Sequence, residues 1–137
     1  MIVQTQCTSF KAELYQGVHN FLTDNIYIAL YTSSASLDQT TTAYTSVGEV
    51  TDVAYTTGGQ QLLGATVNSS GYTAYVSFNN PSWSGAITAR GALIYNKSKG
   101  NKAIAVLDFG ADKTSTMTFT VTLPANTADS AIIRSSN

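Results

Sequence analysis

The sequence has few charged residues, and this limits the partners that it can bind. Only 11% of its 137 residues are charged, and the formal net charge is −1. A protein that neutralises several nucleic-acid phosphates needs clustered basic side chains. Lys97, Lys99 and Lys102 lie close together, but Gly100 and Asn101 between them indicate a solvated hairpin tip. We therefore expect no nucleic-acid partner.

Cysteine and histidine are equally scarce. Cys7 is the only cysteine, so one chain cannot form an internal disulfide. His19 is the only histidine, which excludes a His-rich metal site within one chain. Cys7 and His19 as nucleophile and base are conceivable, but no residue that would orient the histidine is recognisable. We predict no catalytic, cofactor-binding or metal-binding residues, and hence no enzymatic activity.

Long apolar runs are also missing. The first six residues, MIVQTQ, have neither the basic start nor the apolar run of a signal peptide, and no later segment holds eighteen consecutive apolar residues. We expect a soluble protein that is made in a cytoplasm and has no membrane partner.

Uncharged polar residues and aromatic residues are abundant instead. The chain contains twenty Thr, fifteen Ser and nine Asn, while eight Tyr, five Phe and one Trp can build a core. A chain of this composition folds rather than staying disordered. Its low charge gives little repulsion between copies. Two interpretations stay open: a surface covered by partners, or a soluble domain coated with Ser and Thr.

The length predicts one domain, residues 1–137. Residues 1–22 form an N-terminal segment with the only predicted helix, which Ser9 caps and Gly17 ends. Phe10, Leu14 and Phe21 recur at helical spacing and predict an apolar stripe that packs on a sheet. Residues 33–57 form a long polar loop without a clear period.

Alternating apolar residues predict strands over most of the remaining chain. A central strand is predicted at 26–32, because neither of its faces is polar. A hairpin follows, with alternation over 63–67 and 72–78 and a turn at 68–71. Gly110 to Ser115 reads as a turn before two last strands, 116–123 and 128–134. About seven to eight short strands with one short N-terminal helix predict an all-β fold, an antiparallel β-sandwich or jelly roll.

The strands 86–95 and 102–109 flank the lysine-containing tip at 96–101. In the register that we predict, Ile94 faces Ile104, and Arg90 faces Asp108. This arrangement places the single charge inside each strand opposite its complement. It predicts a cross-strand ion pair between Arg90 and Asp108.

Three further groups of residues admit a functional interpretation. Trp83 and the tyrosines could stack on sugars, although an aromatic beside Pro81 more often closes the end of a sandwich or anchors an interface. Glu49 and Asp52 could serve a glycosidase, but no second motif points at them. Asp108 and a nearby Asp112 lack the alternating ligands of a calcium loop. Arg90, Asp108, Trp83 and Tyr95 remain as structural or interface candidates.

A resemblance to a known class of proteins covers the chain from about residue 26 onward. It is strongest over 79–110, where NNPSW at 79–83 is followed by ITARGALIYN at 87–96 and AIAVLDFG at 103–110. GEV at 48–50 and YTTGG at 55–59 contribute to it. These segments resemble small virion structural proteins of tailed bacteriophages.

The resemblance implies a protein present in many copies on a virion, most plausibly a capsid decoration or cement protein that bridges coat subunits and stiffens the shell. Its partners would be the major capsid protein and copies of itself in a homo-oligomer such as a trimer. A tail or neck component is the nearest variant, and a receptor- or glycan-binding module at a tail tip is the competing function. The resemblance supplies no catalytic residues.

Overall fold

The computed structural model describes residues 1–136, which form ten strands and one α-helix arranged in antiparallel sheets. The all-β prediction with a short N-terminal helix is therefore confirmed. The strands are β1 (Thr5–Gln6), β2 (Ile26–Tyr31), β3 (Gln60–Gln61), β4 (Thr66–Ser70), β5 (Thr73–Ser77), β6 (Ser82–Ser84), β7 (Thr88–Asn96), β8 (Lys102–Thr114), β9 (Thr118–Thr120) and β10 (Ile133–Ser135). The helix α1 spans Thr8–Tyr15.

A five-stranded sheet in the order β1-β8-β7-β2-β3 holds the centre of the core. Five of the six β2 residues are buried, as predicted for a strand covered on both faces. The middle of β7 and the first half of β8 are likewise buried. These residues belong to one continuous hydrophobic cluster that extends to Phe10, Trp83 and Phe119. Burial of this apolar surface is the main force that holds the sheets together.

The register between β7 and β8 differs from the predicted one. Tyr95 and Asn96 pair with Ala103 and Lys102 as predicted, but Ile94 pairs with Ala105 instead of Ile104. Ile104 is thus an extra residue in β8 at this point. Both strands are buried here on both faces, so hydrophobic alternation gives no information that would fix the register.

β8 is longer than predicted. The expected turn at 110–115 is wrong, because β8 continues to Thr114 and pairs there with Thr88. β6 pairs with β9 in a separate two-stranded sheet, from Ser84 opposite Thr118 to Ser82 opposite Thr120. The predicted strand 116–123 is reduced to β9. The predicted strand 128–134 shrinks to β10, which pairs with β5.

The N-terminal helix begins two residues earlier than predicted. Cys7, not Ser9, occupies the N-cap position with an extended backbone and makes no side-chain cap bond. Ser9 lies inside the first turn. Gly17 ends the helix as predicted, because its φ of 69° is easily reached only by glycine. Phe10 is the buried anchor of the helix, and Phe21 contacts its ring from beyond the helix at 5.8 Å.

The hairpin β4–β5 turns later in the chain than predicted. Gly71 and Tyr72 form its two-residue turn, whereas the sequence predicted a turn at 68–71. The first strand lies at Thr66–Ser70 instead of 63–67, and all five of its residues are exposed. Together with β10, this hairpin forms a three-stranded sheet with β4 at one edge.

The long polar segment 33–57 contains none of the named strands, in agreement with the prediction. Single bridges attach it to the central sheet, from Glu49 to Tyr31 and from Ala43 to Lys102. Within residues 1–136, no helix has the length and apolarity that crossing a membrane requires.

Candidate functional site

Arg90 and Asp108 meet at an irregularity in the β7–β8 ladder. Ala89 pairs with Lys113 and Gly91 pairs with Asp108, so one residue of β7 faces four residues of β8, 109–112. Arg90 Nε donates to Asp108 Oδ1 at 3.3 Å across this bulge. The predicted contact is therefore present, although the two residues are not direct register partners.

Asp108 also shapes the bulge itself. Its Oδ1 accepts a hydrogen bond from Gly110 N–H at 2.9 Å, and Gly110 has a φ of 82° that favours glycine. The Gly110 N–H and then the Arg90 guanidinium hold the pKa of Asp108 below its usual range, against the opposing effect of burial. Both charged side chains stay about one-third exposed. Bulges of this kind often redirect side chains beside binding sites.

Two open grooves meet at this ion pair. One has a volume of about 480 Å³ and runs along β8 and β9. The other, of about 420 Å³, lies against the N-terminal residues and Arg90. Gln4 and Asp108 line both grooves. The lining of the larger one combines two aromatic rings with hydroxyl groups: Phe109, Phe119, Thr114, Ser115, Thr118 and Thr120.

Trp83 lies in a different place from the ion pair. It is 8% exposed and packs between Tyr55, at 6.2 Å, and Phe119, at 6.3 Å between ring centroids. A buried indole cannot stack on an incoming sugar, so the geometry favours the alternative in which Trp83 closes one end of the core. Of the two aromatic rings that line the larger groove, Phe109 is partly buried and Phe119 is buried.

Tyr95 belongs to a cluster of tyrosines around one buried carboxylate, Glu49. Tyr44 Oη donates to Glu49 Oε1 at 2.6 Å, and Tyr55 Oη donates to Oε2 at 2.5 Å. Gly58 N–H donates to the same Oε2 at 2.8 Å. The Tyr95 hydroxyl donates to the Gly58 carbonyl at 2.6 Å, and its ring stacks on Tyr44 at 4.8 Å.

This cluster ties the polar loop to the central sheet. Leu30 N–H in β2 donates to Tyr55 Oη, which connects the strand directly to the loop. Burial raises the pKa of Tyr55 and of Tyr44, and the hydrogen bonds to Glu49 raise both further. Burial and then the charge of Glu49 raise the pKa of Tyr95 to about 12. The hydroxyls therefore stay protonated and act as donors. Glu49 is a structural anchor, well suited to holding the loop in one conformation.

Asp52, the second carboxylate of the loop, has a different position. It accepts a hydrogen bond from Thr88 N–H at 2.9 Å and is exposed. Both oxygens of Glu49 are meanwhile occupied by donors of this chain. The geometry therefore gives Glu49 and Asp52 separate structural contacts, with no sign of the paired roles of a glycosidase site.

The side chain of His19 is buried, and both of its ring nitrogens have a partner. Nε2 lies 2.8 Å from Glu13 Oε1, and Nδ1 lies 3.0 Å from Asn96 Nδ2. Asn96 Nδ2 also donates to Asp24 Oδ2 at 2.8 Å. Because a carboxylate only accepts, the atom that lies between Asp24 and the ring is the amide NH₂ group, which therefore donates to the ring as well. His19 is thus assigned as the neutral tautomer with hydrogen on Nε2. No lone pair is left with which it could serve Cys7 as a base.

The surroundings of Cys7 and Asp24 shift the pKa of each side chain. Burial raises the pKa of the Cys7 thiol to about 11, which keeps it protonated and unreactive. Burial alone would raise the pKa of Asp24, but hydrogen bonds from Asn96 and Asn20 and the nearby Lys99 ammonium lower it overall. In the part of the chain that the structure describes, no three His, Cys, Asp or Glu side chains come together as a metal site.

Among the named strands of residues 1–136, β4 is the only one whose residues are all exposed, and sequence reasoning did not identify it or its hairpin with β5 as a surface feature. We call the hairpin Thr66–Ser77 the arm. Val67 is 54% exposed and Tyr72, at its tip, is 90% exposed. The sequence does carry one signal for this surface: no Asp, Glu, Lys or Arg occurs between Asp52 and Arg90.

Comparisons with protein-family models, with curated proteins and with solved structures find no match to this chain. The functional argument therefore rests on the geometry above and on the sequence resemblance.

Proposed function

We propose that this chain is a non-enzymatic structural subunit of a tailed-bacteriophage virion, of the capsid decoration or cement type. The single observation that carries the proposal is the arm, because it presents an uncharged surface on both faces of β4. A free monomer gains little from exposing an uncharged strand with apolar residues, whereas a subunit can cover it with a neighbour. The sequence resemblance supplies the virion as the assembly.

The rest of the molecule suits a role as a rigid building block. The Glu49 cluster fixes the long loop, and the Asp108–Arg90 pair fixes the β8 bulge, so both elements have defined shapes. Defined loops lose little conformational freedom when they contact a coat subunit. Each contact can be weak, since neighbours in a shell meet at high effective concentration.

A tail or neck component would use the same features at another place on the particle. Electron-microscope imaging distinguishes the capsid from the tail position. The gold-labelled chain is added to intact particles that lack this protein, and these particles are prepared from the phage whose genome encodes it. We expect regular label over the capsid. Label confined to the tail would place the subunit there, and particles without label at saturating protein would contradict the virion proposal.

A glycan-binding module is the second candidate, and the groove beside Phe109 is the observation in its favour. Its volume of about 480 Å³ lies within the roughly 300–1,000 Å³ typical of small-molecule sites. Titration of the chain with saccharides from the host surface, followed by NMR, tests this function. Shifts confined to the groove that Phe109→Ala abolishes would favour it, with Tyr15→Ala, a highly exposed site, as the matched control.

A further inference from the structure

The outer edge of β4 has no partner strand within residues 1–136. Exposed strand edges are normally protected by charged side chains, proline or a bulge, since they otherwise pair with other chains. β4 has the sequence TVNSS and contains none of these. We propose that this edge pairs with the same edge of a second copy of the chain. Two three-stranded sheets would then join into one sheet of six strands.

The hairpin geometry determines which backbone groups reach the free edge. The pair that flanks a two-residue turn is hydrogen-bonded, and hydrogen-bonded pairs alternate along an antiparallel ladder. Ser70, Asn68 and Thr66 therefore direct their N–H and C=O groups toward β5. Val67 and Ser69 direct theirs away from β5, toward the free edge.

This pattern is complementary to itself. When two β4 strands run antiparallel about a two-fold axis at Asn68, Val67 of each copy lies opposite Ser69 of the other. The outward N–H and C=O groups of these residues then form four hydrogen bonds between the copies. The two Asn68 residues face each other as a non-hydrogen-bonded pair, in which side chains approach most closely.

The absence of charge along β4 also favours a second copy of the chain as the partner of this edge. Two identical edges place like charges near each other whenever the edge is charged, but the whole segment between Asp52 and Arg90 is uncharged. A contact of five residues from each copy is small compared with a standard interface, which has roughly 20–30 residues on each side. The pairing is therefore weak in solution. It becomes strong only when neighbours are held close together, as in the proposed virion role on which this inference rests.

A disulfide trap tests the pairing directly. In the proposed dimer the Cβ atoms of residue 68 lie about 4.5–5.5 Å apart, which a disulfide can bridge. Residue 70 on the same face lies about 13 Å from its own copy, which a disulfide cannot bridge. The full chain carrying Asn68→Cys, incubated at high concentration in a glutathione redox buffer, is therefore expected to form a covalent dimer. The matched control Ser70→Cys stays monomeric, and the wild type controls for the buried Cys7.

A second pair of variants tests the same edge without a covalent bond. Asn68→Lys places two ammonium groups opposite each other and is expected to weaken the dimer about two- to fivefold in sedimentation equilibrium. Asn68→Thr keeps the edge neutral and leaves the dimer unchanged. Equal crosslinking of both cysteine variants, or a dimer that Asn68→Lys does not weaken, overturns the pairing.

The two proposals fail in different ways. A chain that decorates particles but gives no Asn68→Cys dimer overturns the β4 pairing and leaves the virion role in place. A chain that crosslinks at residue 68 but never labels particles supports the pairing and contradicts the virion role.

Discussion

Removing the Glu49 carboxylate is the change that most directly tests how the long loop is held. Glu49 is 5% exposed and accepts three hydrogen bonds, from Tyr44, Tyr55 and the backbone of Gly58. Glu49→Ala leaves all three donors without an acceptor inside the protein. Hydrogen bonds to charged groups contribute about 1.5–3 kcal/mol each, but removing the charge also removes the cost of its burial. We expect the free energy of unfolding to fall by about 2–4 kcal/mol.

Glu49→Gln separates the hydrogen bonds from the charge. A glutamine can keep its oxygen toward Tyr55 and Gly58 and turn its NH₂ group toward the Tyr44 hydroxyl, so every contact retains a partner. Its expected loss is about 1 kcal/mol or less. Tyr15→Phe is the matched control, because the Tyr15 side chain is 94% exposed, and its effect stays within about 0.5 kcal/mol.

Urea unfolding followed by the fluorescence of Trp83 measures these changes, since this single, buried tryptophan reports on the core beside Tyr55. The result that refutes the reasoning is a Glu49→Ala variant within about 0.5 kcal/mol of the wild type. A Glu49→Gln variant as unstable as Glu49→Ala would show that the charge, rather than the hydrogen bonds, is what matters.

Three further predictions concern other parts of the molecule. The Gly110 N–H and Arg90 depress the pKa of Asp108 in the folded state, so the contribution of this carboxylate to stability is full above its unfolded pKa of about 3.9 and is lost as the pH falls through the lower folded pKa. Asp108→Asn should therefore shrink the change in unfolding free energy between pH 5 and pH 2, and an unchanged pH profile would contradict this. Gly59→Ala should destabilise the protein by more than about 3 kcal/mol, because its Cβ would lie 1.8 Å from the Ile28 carbonyl oxygen. Gly100→Ala, with a similar positive φ but open space, should lose about 1 kcal/mol in the same urea assay. The Cys7 thiol should react with a thiol reagent only at the rate of unfolding, and rapid labelling of the native protein would show that its burial is wrong.

The long strands of the fold could be predicted from the sequence because their apolar runs are long and dense. β2, β7 and the first half of β8 fall where the sequence places them. Strands of two or three residues, such as β1 and β3, could not be predicted, because their existence depends on a partner that is distant in the chain. Alternation also failed for β4, since Leu63 and Val67 alternate without a core to face.

In the candidate site, too, some contacts could be predicted from the sequence and others could not. Arg90 and Asp108 could be paired from the sequence because each is the only charge inside its predicted apolar strand, and the long arginine side chain still reaches Asp108 across the bulge. The bulge itself was not predicted, since Gly110 and Asp112 read as turn residues. The Glu49 cluster was missed because it joins Tyr44, Tyr55 and Tyr95, which carry no common spacing. Sequence separation hides such a cluster, and only the fold brings it together.

Survival of particles under stress is the measurement that tests the central claim most directly. Particles of the encoding phage, prepared with and without this chain, are heated or shifted abruptly to low osmolarity, and the surviving infectious fraction is counted. A subunit that bridges coat proteins should make particles more resistant, and adding the purified chain to deficient particles should restore that resistance. Equal survival of the two kinds of particle would contradict the proposed stabilising role.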